Sequence, residues 1–190
     1  MSQELTRITP VHFRIERARE KEDANKVVSI LSQCSNDLLE KGYDYWKNAY
    51  PLDEVLEMVR KCDVRLAYDG DTPVGTFTLH TMPKKYLVGI WETIGSSSEK
   101  RAASPIYMMA LGILPERQRE GIGKKLCEIA EGIALEKGHD GMRLDTVDLN
   151  NGFFLKMGYE IVNERRYENF RYAHVFFEKM LGSGTGQQRK

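Results

Sequence analysis

The residues best suited to chemistry lie together in the stretch RQREGIGKK, positions 117–125. Two glycines, Gly121 and Gly123, stand two apart, with Arg117, Arg119, Lys124 and Lys125 around them. An apolar run, IYMMALGILP, precedes the stretch, and a helical pattern, IGKKLCEIAEGIALEKG, follows it. Glycines at the entry to a helix leave backbone N–H groups uncovered, and the helix dipole places partial positive charge at the same point. The chemistry on offer is anion binding, phosphate above all; a plain tight turn is the alternative. Two phosphate motifs are excluded by residue identity. A P-loop needs glycine five residues before Gly123 and Ser or Thr after the lysine, where Gln118 and Lys125 stand. A dinucleotide fingerprint needs a third glycine three residues after Gly123, where Leu126 stands.

The elements that must position this turn can be read along the chain. VHFRIERA alternates loosely as a first strand, and KEDANKVVSILSQCSNDLLEK reads as one helix, breakable near Ser35 and Asn36, stopped at Gly42. YDYWKNAY is an aromatic connection, and PLDEVLEMVRKC is a second helix started by Pro51. DVRLAYDGDTPVGTFTLH is a hairpin about a tight turn. KKYLVGIW reads as a further short strand and ETIGSSSEKRAASP as a polar loop. IYMMALGILP lacks polar alternation, so it belongs in the middle of a sheet covered on both faces, with Gly112 marking a bulge or a close approach. After the helix that ends at Gly138 come a strand MRLDTV, a short helix NNGFFLKMG, and two paired strands, YEIVNERRYEN and YAHVFFEKML. The order implies an α/β fold: a mixed central sheet of about seven strands, an antiparallel meander followed by a βαβ crossover, with helices on both faces. Residues 1–11 read as an N-terminal extension, 12–181 as one domain and 182–190 as a disordered tail.

Composition bounds the function. The 190 residues carry 28 Lys+Arg against 28 Asp+Glu, so the net charge is zero and a general nucleic-acid or membrane surface binder is disfavoured. Cys34, Cys62 and Cys127 are far apart and in no metal-ligand spacing, which argues against a disulfide framework or a metal site and suits a reducing cytoplasm. The N-terminus has no apolar signal region, and no apolar run approaches the ~20 residues that span a bilayer.

LGILPERQREGIG resembles the acetyl-CoA signature of the GNAT N-acetyltransferases, with Gln118, Gly121 and Gly123 at the signature positions. TPVGTFTL is similar to that family's early hairpin, and RLDTVDLN and FFLKMGY to its next strand and short helix, so the resemblance covers roughly residues 12–180. GIW before a polar loop is similar to bacterial members of unassigned substrate. The resemblance implies the GNAT fold, acetyl-CoA as cosubstrate without a metal, and acetyl transfer to a primary amine of a small molecule or peptide, in a monomer or homodimer. It implies that the strand before the signature splays from its neighbour and offers the backbone of Leu111, Gly112 and Ile113 to pantetheine. The pyrophosphate would rest on the turn through Gln118, Arg119, Glu120, Gly121, Ile122, Gly123 and Lys124, with Asn150 and Phe154 beside the pantetheine arm.

The acid and base are less defined. The family often places a tyrosine, as acid for the leaving thiolate, where Phe154 stands here; Tyr107, Tyr159 or water are the substitutes. Glu92, after Trp91 at the expected end of a strand, is a candidate base if an apolar wall raises its pKa, and a solvated loop carboxylate otherwise. His80 reads as structural, Glu116 as surface and Cys127 as core, while Asp145 faces either cleft or solvent. Tyr43, Tyr45, Trp46 and Tyr50 offer either a cation-friendly wall or helix packing. An acyl-CoA-binding sensor without efficient turnover, supported by Phe154, is the alternative reading.

Overall fold

The computed structural model describes residues 13–46, 50–96 and 101–182; the expected extension, most of the expected tail and part of the polar loop lie outside these. The elements in order are β1 (Phe13–Arg17), α1 (Lys21–Glu40), α2 (Leu52–Lys61), β2 (Asp63–Asp69), β3 (Thr72–His80), α3 (Val88–Ser96), β4 (Pro105–Ile113), α4 (Ile122–Glu136), β5 (Gly141–Val147), α5 (Asn151–Lys156), β6 (Glu160–Arg166) and β7 (Ala173–Met180). They form one seven-stranded sheet in the order β1-β2-β3-β4-β5-β7-β6. Only β4 and β5 run parallel; every other neighbouring pair is antiparallel. This is the expected mixed sheet.

One element differs. KKYLVGIW forms a 3-10 turn, Lys85–Leu87, leading into helix α3, where a strand was expected. Leu87, Trp91 and Ile94 are each 2% exposed. Their spacing of four and three is a helical stripe, and it continues into the segment that the strand reading treated as loop. Helix α1 is continuous across Ser35 and Asn36.

Two cores sandwich the sheet. On one face, α1 and α2 pack Val27, Ile30, Leu31, Val55 and Val59 against Val64, Leu66 and Ala110, and α3 packs Trp91 against Tyr107 and Phe176. On the other face, α4 and α5 pack Ile122, Leu126, Ala130 and Phe154 against Met108, Leu144 and Phe177. The apolar IYMMALGI run therefore lies in the middle strand, β4, because both of its faces are covered.

Candidate active site

The site follows from what β4 does along its length. Its N-terminal third pairs with β5, at Pro105↔Gly141, Ile106↔Met142 and Tyr107↔Arg143, and the ladder stops there although β4 runs on to Ile113 and β5 to Val147. On its other side β4 stays paired with β3 to the end, through a register shift in which Thr76↔Gly112 and Thr78↔Met109 leave one extra residue on β4. Ala110 in that bulge has φ +51. A bulge bends its strand and raises the local twist, which opens a wedge between β4 and β5 with its apex at Tyr107.

The edge of β4 facing the wedge can be identified. The N–H of Leu114 donates to Val74 O at 3.0 Å, so by alternation the backbone of Gly112 also faces β3, while Leu111 and Ile113 turn theirs to the wedge. This corrects the reading of Gly112, whose backbone pairs with Thr76. It is bare because a Cβ there would come within 3.0 Å of Leu31 Cδ2 and 3.3 Å of Cys34 Sγ; the close approach is by α1. The Ile113 carbonyl accepts from Cys34 Sγ at 3.1 Å and from Gln118 Nε2 at 3.3 Å. Burial pushes the Cys34 thiol up to about 12, with its backbone bond at Ile113 working against that rise, so the thiol stays protonated.

The open edge leads to the N-terminus of α4. Arg119 has φ +67 and Gly121 φ +85, a left-handed corner that brings the chain sharply into the helix. Gly121 is the N-cap and carries no side chain to accept from the first turn. The first intrahelical bond is Lys125 N–H to Gly121 O, so the N–H groups of Ile122, Gly123 and Lys124 have no partner within the helix. The first turn holds no acidic residue, and nothing lies within 4 Å of a Cβ placed on Gly121. Arg119 is exposed and forms no ion pair among the described residues, and Lys124 reaches only Glu128, at 3.9 Å. Glu120 is held by Arg117 at 2.9 Å, which also reaches Asp69 at 2.8 Å; its carboxylate is thereby partly neutralised. Ile122 contributes only its backbone, for its side chain is core.

Asn150 stands at the N-cap position of α5 but makes no cap bond; its amide donates to Thr146 Oγ1 at 2.8 Å. Phe154 is 5% exposed and packs on Phe177 and Tyr159. Its side chain belongs to the core cluster under α4 and α5. Its neighbour Phe153 is 36% exposed, and its ring would lie 3.4 Å from a Cβ on Gly123, so this ring faces the α4 turn. Tyr159 is 2% exposed and donates to Met142 Sδ at 3.1 Å, which removes it as an acid.

Tyr107 sits at the apex, 8% exposed, accepting from Arg143 Nη1 at 3.2 Å. Glu92 lies on helix α3, not at a strand end, and is exposed. Both line an open cleft of about 520 Å³ together with Trp91, His139 and Arg143, at the end of β4 away from the glycine turn. His80 Nδ1 accepts from the Met82 N–H at 2.8 Å, a local turn contact.

Further along the wedge, on the α1–α3 face, lies a group that local sequence does not reveal. Tyr45 Oη donates to Asp145 Oδ2 at 2.5 Å, and His174 Nε2 lies 2.9 Å from the same oxygen and 3.1 Å from Tyr45 Oη. Asp145 thus points to the α1–α3 face of the sheet and not to open solvent. Tyr43 packs on Tyr172, at 5.5 Å between centroids, and Tyr172 on Phe170, at 5.2 Å. Tyr172 donates to Asp44 at 3.0 Å. The one sequence signal was His174 and Glu178, set two residues to either side of Phe176 on one face of a strand whose first five residues are otherwise apolar.

No described helix is long and apolar enough to cross a membrane. No curated protein is matched by the sequence. Among solved structures, a GNAT-family acetyltransferase of Listeria monocytogenes 4b F2365 is similar at TM-score 0.68 and 15% identity, over 89% of this chain and 95% of that one. The paia N-acetyltransferase of Thermoplasma acidophilum, in complex with coenzyme A, is similar at TM-score 0.63 and 16% identity, over 89% and 99%. An aminoglycoside 6'-N-acetyltransferase complexed with coenzyme A is similar at TM-score 0.61 and 15% identity, over 88% and 96%. At these identities the likeness is one of fold. The model of the acetyltransferase (GNAT) family matches residues 25–159, a span running from α1 through the wedge and the glycine turn to α5. On that match the chain belongs to the GNAT acetyltransferase family.

Proposed function

We propose that this protein is an acetyl-CoA-dependent N-acetyltransferase that moves an acetyl group to a primary amine of a small molecule or peptide, by direct attack within a ternary complex. The observation that carries the reading is the continuity of the wedge with the α4 N-terminus. A strand edge left open beyond Tyr107↔Arg143 runs into three N–H groups that have no partner within the helix, under a glycine cap. A pantetheine arm has amides that hydrogen-bond as a strand does, and it ends in a pyrophosphate that suits a helix N-terminus. The backbone of Leu111 and Ile113 would take the arm. The N–H groups of Ile122, Gly123 and Lys124 would take the pyrophosphate, with Arg119 beside it. Gln118 steadies the Ile113 carbonyl, and Asn150 and Phe153 border the arm from α5. The two coenzyme A complexes among the similar structures support this assignment.

No tyrosine stands on α5 to protonate the departing sulfur. A thiol of ordinary pKa, about 8.5, leaves tolerably as thiolate near neutral pH, so turnover does not depend on such an acid. Titration calorimetry with CoA, ATP and NAD tests the reading. CoA should bind and raise the melting temperature, because a ligand that binds only the native state stabilises it. Binding of ATP or NAD without CoA overturns it. Free-thiol release from acetyl-CoA across a panel of primary amines then identifies the acceptor.

A further inference from the structure

From the side-chain cluster beside the parted strands β4 and β5, we infer that His174, held by Asp145 and Tyr45, is the proton acceptor for the incoming ammonium group. The inference rests on the acetyltransferase reading and adds to it the catalytic base, which neither the family match nor the similar structures assign.

Position is the first argument. β4 and β5 part after Tyr107↔Arg143, and Asp145 is two residues further along β5, so it shares a sheet face with Arg143 and lies where the strands have separated. The ladder sets Asp145 opposite Phe176 and Val147 opposite His174, which brings His174 to the same face. Helices α1, α2 and α3 cover that face, away from α4 and its turn. A thioester lying along the wedge, with its pyrophosphate at α4, would therefore meet an amine arriving from the Asp145–His174 side.

Chemistry is the second argument. An ionised Asp145 accepts from Tyr45 O–H and from His174 Nε2–H through one oxygen, Oδ2. Donation by Nε2 fixes the tautomer and leaves Nδ1 as the basic nitrogen. Nδ1 has no hydrogen-bond partner among the described residues. Asp145 orients the ring and stabilises the imidazolium, the role a buried carboxylate plays beside a catalytic histidine. His174 and Asp145 are only 9% and 14% exposed at their side chains, so the pair is held in a low-dielectric site. The charged and titratable groups facing His174 are Asp145 and, one pair further along the same face of β5, Arg143; Tyr45 and Tyr50 from the α1–α2 segment; Tyr172 on its own chain; and Arg165, opposite it on β6. Burial holds the Tyr50 phenol well above its usual range, so it stays neutral. The rings of Tyr43, Tyr172 and Phe170 extend from the cluster and form an aromatic wall suited to a cation.

The step balances. The ammonium R–NH3+ gives one proton to Nδ1, which passes it to solvent. The neutral amine attacks the thioester carbonyl, the C–N bond forms and the C–S bond breaks. The second N–H proton ends on the departing sulfur.

The test uses propylamine as the probe acceptor at saturating acetyl-CoA, with CoA affinity measured on every variant. H174Q should keep wild-type CoA affinity and lose about 100-fold in kcat/KM for propylamine, the lower range for one acid–base group. The acid limb of its pH profile should disappear. Y45F keeps the ring and removes one bond to Asp145. It should fold as wild type, lose less activity, and shift the acid limb, which a merely structural role would leave in place. An H174Q or Y45F protein that binds CoA with wild-type rate and wild-type pH profile overturns the inference. So does a wild-type protein that binds CoA but transfers nothing to propylamine from neutral to alkaline pH. A wild-type protein that does not bind CoA removes the underlying acetyltransferase reading instead.

Discussion

At the scale of single residues, Gly121 serves two purposes that mutation can separate. It holds φ +85 at the corner into α4, and it keeps the ground above the first-turn N–H groups clear, with nothing within 4 Å of a Cβ placed there. A valine at that φ is strained by about 1–2 kcal/mol, which should lower the melting temperature by a few degrees without unfolding the protein. Its side chain would also stand where the pyrophosphate is proposed to sit. Gly138 supplies the control. It has φ +81 and equally open surroundings, but it follows the other end of the same helix. Gly121→Val and Gly138→Val should therefore lose similar stability by thermal melts, while only Gly121→Val abolishes CoA binding by calorimetry. Equal CoA affinities in the two variants would count against the phosphate role of the turn. This part of the site was legible in the sequence, because a glycine turn between a buried strand and a helix is a local pattern. The place of Phe154 was not. Whether it or Phe153 faces the α4 turn depends on the rotation of a six-residue helix, which adjacent aromatics leave undecided.

At the scale of elements, the sequence spoke clearly where one stretch carried its own environment. IYMMALGI had to be covered on both faces, and it is the middle strand β4. The β2–β3 hairpin turns tightly at Gly70 with φ +59, as DGDTP implied. KKYLVGIW was misread because a short apolar run fits either period; the buried stripe Leu87, Trp91 and Ile94 becomes helical only when the polar residues between Trp91 and Ile94 are counted with it. Gly112 shows the same limit. Its bareness was read toward a ligand, yet its requirement comes from α1, about eighty residues earlier in the chain. Gly112→Ala should force Leu31 and Cys34 aside and cost about 1–3 kcal/mol, as overpacked cores do. Leu31→Ala in the same background should recover part of that loss, giving a coupling energy that two independent sites would not show. Urea unfolding of the two single variants and the double variant measures it.

At the scale of the whole molecule, the groups that matter meet through sheet order. Tyr45 and His174 are 129 positions apart and Tyr45 and Asp145 are 100 apart; they meet because β7 returns beside β5 and Tyr45, just beyond the end of α1, reaches both strands. No local pattern encodes such a meeting, which is why the fold and the glycine turn were readable and the proposed base was not. Asp63 is the comparable device for stability. At the start of β2 and 6% exposed, it binds Arg65 at 2.6 Å and Lys137 at 2.5 Å, with Arg17 at 3.8 Å, so it ties β1, β2 and the end of α4 together. Burial alone would raise its pKa, but the bonds from Arg65 and Lys137 outweigh burial and hold the carboxyl below its ordinary value. A carboxylate depressed on folding adds stability that is fully present above its unfolded pKa, about 3.9, and is lost as pH falls through the folded value. Asp63→Asn should therefore cost about 1.5–3 kcal/mol near neutral pH, the range for hydrogen bonds to charged groups. The gap from wild type should narrow as pH drops below about 4, where wild type loses the same charge. Urea midpoints of both proteins at about pH 7 and about pH 3 test this. A gap that stays constant between the two would place the loss in packing, and the charge of Asp63 would then not be what joins α4 to the first strands.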